Sequence, residues 1–158
     1  MAQTVTLNLN DLSAYKLFEF LRTLKGKGIP HARRLKRLHD ALGVQPIFEL
    51  LDENREAIEL WQQAAREALT KGQPQPKQPK LHALKPEDAP KPRELESGDV
   101  DYLWQVTREW DKEDGVGAPV GEEYTTYLPI YEEVERARAE MRAAGAAAEG
   151  DNVRELRK

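Results

Sequence analysis

Seven cationic side chains, Arg22, Lys25, Lys27, Arg33, Arg34, Lys36 and Arg37, fall within one stretch that contains no acid. Guanidinium and ammonium groups gathered in this way recognise anions, either phosphates or the carboxylates of an acidic protein surface. The chain holds 24 Lys and Arg against 28 Asp and Glu, so removing these seven leaves 17 basic residues facing 28 acidic ones, a balance of −11. The sequence thus predicts one positive region on a negative body.

Other chemistries find less support in residue types and spacing. His31 and His39 are eight positions apart, roughly 80° around a helix, and His82 stands alone, so no ligand pair of i, i+3 or i, i+4 spacing exists. There is no Cys, which removes disulfides, thiolate metal sites and cysteine nucleophiles. Asp111 to Gly117 has the composition of a calcium loop, but Gly115 occupies the fifth place where the sixth is required. Gly115, Gly117 and Gly121 are not followed by Lys-Ser/Thr, so they make no phosphate loop. Ser13 and Ser97 read as helix-start residues. No catalytic residue, metal or cofactor is expected, and the chain reads as non-enzymatic.

The elements that must position the cations follow from periodicity. Thr4 to Leu9 alternates polar and apolar residues with Val5, Leu7 and Leu9 on one side, a half-buried strand. Its expected partner is Glu123 to Leu128, the other stretch rich in β-branched and aromatic residues. Asn10 or Asp11 caps a first helix over Leu12 to Leu24, which Gly26 or Gly28 ends. A second helix from Pro30 to Leu42 carries Leu35, Leu38 and Leu42 on one stripe, and Gly43 stops it. A third runs from Pro46 to about Thr70, with Ile47, Leu51, Asn54, Ile58, Trp61, Ala65 and Ala68 spaced like a coiled-coil seam.

Six prolines between Lys71 and Pro92 then predict an extended linker in which Leu81 and Leu84 are the aliphatic handles. A fourth helix from Ser97 or Asp99 to about Asp111 carries Trp104 and Trp110. A glycine-rich loop leads to the expected second strand, and Pro129 opens a fifth helix with Ile130, Val134, Ala137 and Met141 inward. The fold class is mainly α, a small helical bundle with a short two-stranded β element and a proline-rich linker. Residues 1–71 form a strand plus three-helix unit and 72–96 the linker. Residues 97–148 make a helix–loop–strand–helix element packing on the first unit, and 149–158 a flexible tail. No apolar run is long enough for a membrane span and no signal-like segment opens the chain, so a cytoplasmic protein without a membrane partner is expected.

The basic stretch has the outline of a helix-turn-helix, which makes nucleic acid one candidate partner. Its outward face lacks Asn, Gln and Ser for reading base edges, and the chain is acidic overall, so an acidic protein surface is the preferred one. The bland alternative pairs these cations with Glu49, Glu53, Glu56 and Glu59 of the third helix. Asn54 in the apolar seam either fixes the register of a homo-oligomer formed through the 46–70 helix or caps a nearby carbonyl. Trp104 and Trp110 are core residues or, if exposed, anchors of the partner-binding surface.

Four short motifs, Thr-x-Asn-x-x-x-Leu at Thr6 to Leu12, Leu24-Lys-Gly-Lys27, Arg33-Arg34 and the acid–Gly–Pro turn from Asp114 to Pro119, resemble short uncharacterised accessory proteins of tailed bacteriophages. The likeness covers about half the chain, and the long Pro/Lys/Gln linker and Ala-rich tail depart from it. It implies a viral accessory protein in the host cytoplasm that binds and inhibits a host protein or serves as a virion or assembly component. It assigns no activity.

Overall fold

The computed structural model describes residues 3–156, with side chains through Gly145. It is mainly α, with five α-helices and one two-stranded antiparallel sheet among the described residues. Strand β1 (Thr4–Leu9) buries Val5, Leu7 and Leu9, as their alternation requires. Its partner is not the 123–128 stretch but β2 (Lys91–Glu96), in the register Val5↔Leu95, Leu7↔Arg93 and Leu9↔Lys91. Pro92 faces Asn8, whose N–H is satisfied by the Glu133 carboxylate at 2.8 Å instead of by a ladder partner. Proline is tolerated because each strand of a two-stranded sheet is an edge.

Two strands alone are unstable, and helices supply the missing burial. Helix α1 (Asp11–Thr23) begins at Asn10, whose side chain accepts the Ser13 N–H at 2.8 Å. It contributes Leu17 and Leu21 to the core, α2 (Gly28–Leu42) contributes Leu38 and Leu42, and Gly43 at φ 63° closes α2 in the left-handed conformation. Helix α4 (Ser97–Thr107) adds Val100 and Leu103 and continues as a 3₁₀ turn over Arg108–Asp111. Helix α5 (Tyr124–Leu156) adds Ile130, Val134 and Ala137. All of these join one hydrophobic cluster, so the segments on either side of the linker share a core.

Residues Tyr124–Leu128 are thus the first turns of α5, with Pro129 inside the helix where a start was expected. The tail expected over 149–158 falls in the last turns of α5 and beyond, outside the residues whose side chains are described. No described helix is long and apolar enough to cross a membrane.

Helix α3 (Gln45–Thr70) behaves differently. Its first turns reach the core through buried Ile47 and half-buried Phe48 and Leu51. At 26 residues it is roughly 39 Å long, far longer than that contact needs. The chain reverses at its end in a Schellman turn, with the Gly72 N–H donating to Leu69 O and the Gln73 N–H to Ala68 O, and Gly72 at φ 65°. The proline-rich segment then returns along α3 as a strap. Trp61 Nε1 donates to Pro76 O at 3.1 Å, and the Asn54 amide exchanges two 2.8 Å hydrogen bonds with the His82 backbone. The far end is held by Asn10 Nδ2, which donates to Pro86 O and Asp88 O at 3.1 Å each. The region expected to be a linker is therefore fastened at both ends, and its last residues are β2.

Candidate interaction site

The seven cations separate into two groups. Arg37 forms a two-pronged pair with Asp99, Nε to Oδ2 at 3.2 Å and Nη2 to Oδ1 at 3.0 Å, and lies 3.7 Å from Glu96. Its guanidinium pKa is raised, chiefly by the hydrogen bond to Asp99. Arg34 adds a 3.5 Å contact to Asp99, and its guanidinium carbon lies over the Tyr102 ring, 4.6 Å from the centroid. Asp99 is 3 % exposed, and a carboxylate so buried needs its cations. Arg22 pairs with Glu19 at 2.8 Å, one helical turn back. These three arginines are partnered within the fold and do not belong to a free ridge.

Lys25, Lys27, Arg33 and Lys36 are exposed and have no carboxylate partner among the described residues. The first two lie on the connection between α1 and α2, and the others on α2. The acids of α3 do not answer them, because α3 leads away from the body. Glu53 meets His82 at 2.9 Å instead, and Glu49 meets Gln45 at 3.4 Å. The carboxylates that do reach α2 come from the start of α4.

One of the free cations, Lys25, lines a groove of about 640 Å³ together with Leu24, Tyr102, Val106, Val116 and Glu109. Val116 is 62 % exposed. The one signal for this groove in the sequence is an isolated valine within a charged, glycine-rich loop.

Neither tryptophan is freely exposed. Trp104 is half-buried, with the Arg138 guanidinium 3.5 Å and that of Arg108 4.9 Å from its ring centroid. Trp110 is buried between Phe20, at 5.1 Å, and Tyr127, at 5.0 Å, both edge-to-face. The glycine loop that follows is tight against this cluster. A Cβ on Gly117 would come within 2.0 Å of the Phe20 ring, and one on Gly115 within 1.8 Å of the Glu109 carbonyl oxygen. The histidines are dispersed: His39 stacks on Phe48, His82 meets Glu53, and His31 lies against Gly26.

No protein-family model matches the chain, and neither a curated protein nor a solved structure is significantly similar to it.

Proposed function

We propose that this chain is a non-enzymatic accessory protein that binds an acidic protein partner along Lys25, Lys27, Arg33 and Lys36 and the adjoining apolar groove. The observation that carries the reading is that four unpartnered cations lie on the α1–α2 connection and α2, and that one of them, Lys25, also lines the apolar groove. Charges at the edge of a contact steer encounter and fix register, while burial of apolar groups in the groove supplies most of the affinity. Four cations and an apolar floor suit an amphipathic acidic segment better than a phosphate backbone. A nucleic-acid reading loses support because Arg34 and Arg37 are committed to Asp99. The resemblance to phage accessory proteins makes a host factor or a virion component the natural partner class, encountered in the host cytoplasm.

A second reading, self-association through α3, draws on Leu60 and Leu69, which are 68 % and 77 % exposed. Against it, Asn54 and Trp61 of the seam hydrogen-bond to the strap.

The test is affinity purification from the native cell with wild type and with Lys25→Glu, Lys27→Glu, Arg33→Glu combined, folding being checked by circular dichroism. The expected result is an acidic partner retained by wild type, released by rising salt, and lost with the triple variant. Retention of the same partner by the triple variant would overturn the reading. A mass in solution that is a multiple of the 18.0 kDa chain would favour the second one.

A further inference from the structure

On the other side of the 3₁₀ turn lies an opening of about 250 Å³ with aromatic walls. Tyr124, Tyr127 and Tyr131, at i, i+3 and i+7, form one stripe of α5, and Trp110 closes the inner side. The volume is below the roughly 300–1,000 Å³ of pockets that hold drug-sized ligands, so the opening has room for one side chain or head group. Tyr124 is 55 % and Leu128 47 % exposed, and no described segment covers them.

The charge around the opening selects among occupants. Asp111 lines it; Oδ2 accepts the Tyr131 hydroxyl and lies 3.9 Å from Arg108, while Oδ1 has no donor among the described residues. Burial raises the Tyr127 phenol pKa, and the charge of Glu123 adds to it. Burial likewise pushes Tyr131 up to about 12, reinforced by its bond to Asp111 and by the charge of Glu135. Asp111 is the one charged residue lining the opening, and the nearest guanidinium, that of Arg108, lies 4.1 Å from the Tyr131 centroid and is itself 3.9 Å from Glu135. Ring faces are themselves electronegative, so walls and rim favour a cation.

A neutral polyproline segment fits less well, because it is gripped by indole and phenol donors aimed at its carbonyls. Here Trp110 Nε1 is buried away from solvent, and the Tyr131 hydroxyl already donates to Asp111. Among cations, a planar guanidinium can lie on a ring and donate to Asp111 Oδ1 together. The chain itself places arginines over rings repeatedly, among them Arg34 over Tyr102, Arg138 over Trp104 and Arg108 over Tyr131.

We infer that this aromatic opening is a binding site for the guanidinium of an arginine side chain presented by a partner protein, held on Tyr124 and Tyr127 and hydrogen-bonded to Asp111. It uses none of the cations of the basic face, and it stands or falls independently of that reading.

The probe is N-acetyl-arginine methylamide titrated into the full chain, read from the indole N–H signals of Trp61, Trp104 and Trp110. Saturable displacement of the Trp110 signal alone is expected, with the citrulline analogue, equal in shape but uncharged, at least tenfold weaker. Tyr124→Ala, at an exposed position, is expected to weaken binding about twofold to fivefold, the worth of one exposed cation–π contact. Asp111→Asn is expected to weaken it further, with the indole spectrum otherwise retained. Citrulline or lysine analogues binding as tightly as arginine, or no displacement of Trp110 in the folded chain, would overturn the assignment.

Discussion

A buried arginine in a strand is the most consequential single residue outside the aliphatic core. Arg93 is 7 % exposed and donates to Leu9 O at 3.0 Å, Leu42 O at 2.6 Å and Asp11 Oδ1 at 2.9 Å, joining β1, the end of α2 and the start of α1. Arg93→Met would strand two carbonyls and leave the Asp11 carboxylate to Lys91 alone, and should cost about 3–5 kcal/mol in urea unfolding. Burial alone would raise the Asp11 pKa, but hydrogen bonds from Lys91 and Arg93 outweigh it and bring the value below the ordinary 3.8. A depressed folded-state pKa means that the unfolded chain takes up the proton first. The stabilisation from Asp11 is therefore present above about pH 4 and lost as pH falls through the folded value, and Asp11→Asn should flatten that acid limb of the stability curve. Gly117 is constrained from both sides, by φ 76° and by the Phe20 ring. Gly117→Ala should lower stability by more than about 1 kcal/mol and perturb the near-ultraviolet signal of Trp110. None of these roles is legible in sequence, because an Arg in Lys-Pro-Arg-Glu-Leu-Glu reads as a solvated linker charge until Leu9 and Leu42 are brought to it.

At the scale of elements, α1 to α4 were readable to within a few residues because caps and apolar spacing agree. Asn10 before a helical stripe, Gly43 after one and Pro46 at the head of α3 each state a boundary in local chemistry. The strand pairing differs from the expected one for a physical reason. Tyr-Thr-Thr-Tyr has β-favouring side chains, yet Tyr124, Tyr127 and Tyr131 recur at helical spacing, and packing of Tyr127 on Trp110 outweighs propensity. Residues 91–96 have low β-propensity and a proline, and pair with β1 because Leu95 and Arg93 satisfy what lies beneath. The strap gives an element-scale prediction. Asn54→Ala with Trp61→Phe removes its middle fastenings, so trypsin should cut after exposed Lys77 and Lys80 several-fold faster, while the urea midpoint of the core barely moves. A coincident loss of the core would show instead that strap and body unfold together.

Over the whole molecule, charge and shape are organised separately. The chain is −4 overall, and of the seven cations at 22–37 four stay free once Arg22, Arg34 and Arg37 are paired internally. With so few phosphate contacts on offer, mobility-shift assays on duplex DNA should show no retention at physiological salt and at most weak, salt-labile retention below it. The amino-acid order by itself determined the helical class, the boundaries of α1 to α4 to within a few residues, the absence of thiol chemistry and the gathering of positive residues at 22–37, because each depends on neighbours within a few positions. Only the tertiary structure decided which of those residues stay free, since Asp99 arrives beside Arg34 and Arg37 from more than sixty positions away. It also decided that the proline-rich segment is a fastened strap ending in a strand, and that Tyr124, Tyr127, Tyr131 and Asp111 surround one opening. The physical reason is the same in each case: an exposed charge or ring acquires its role from the surface folded against it, and local sequence does not say which surface that is.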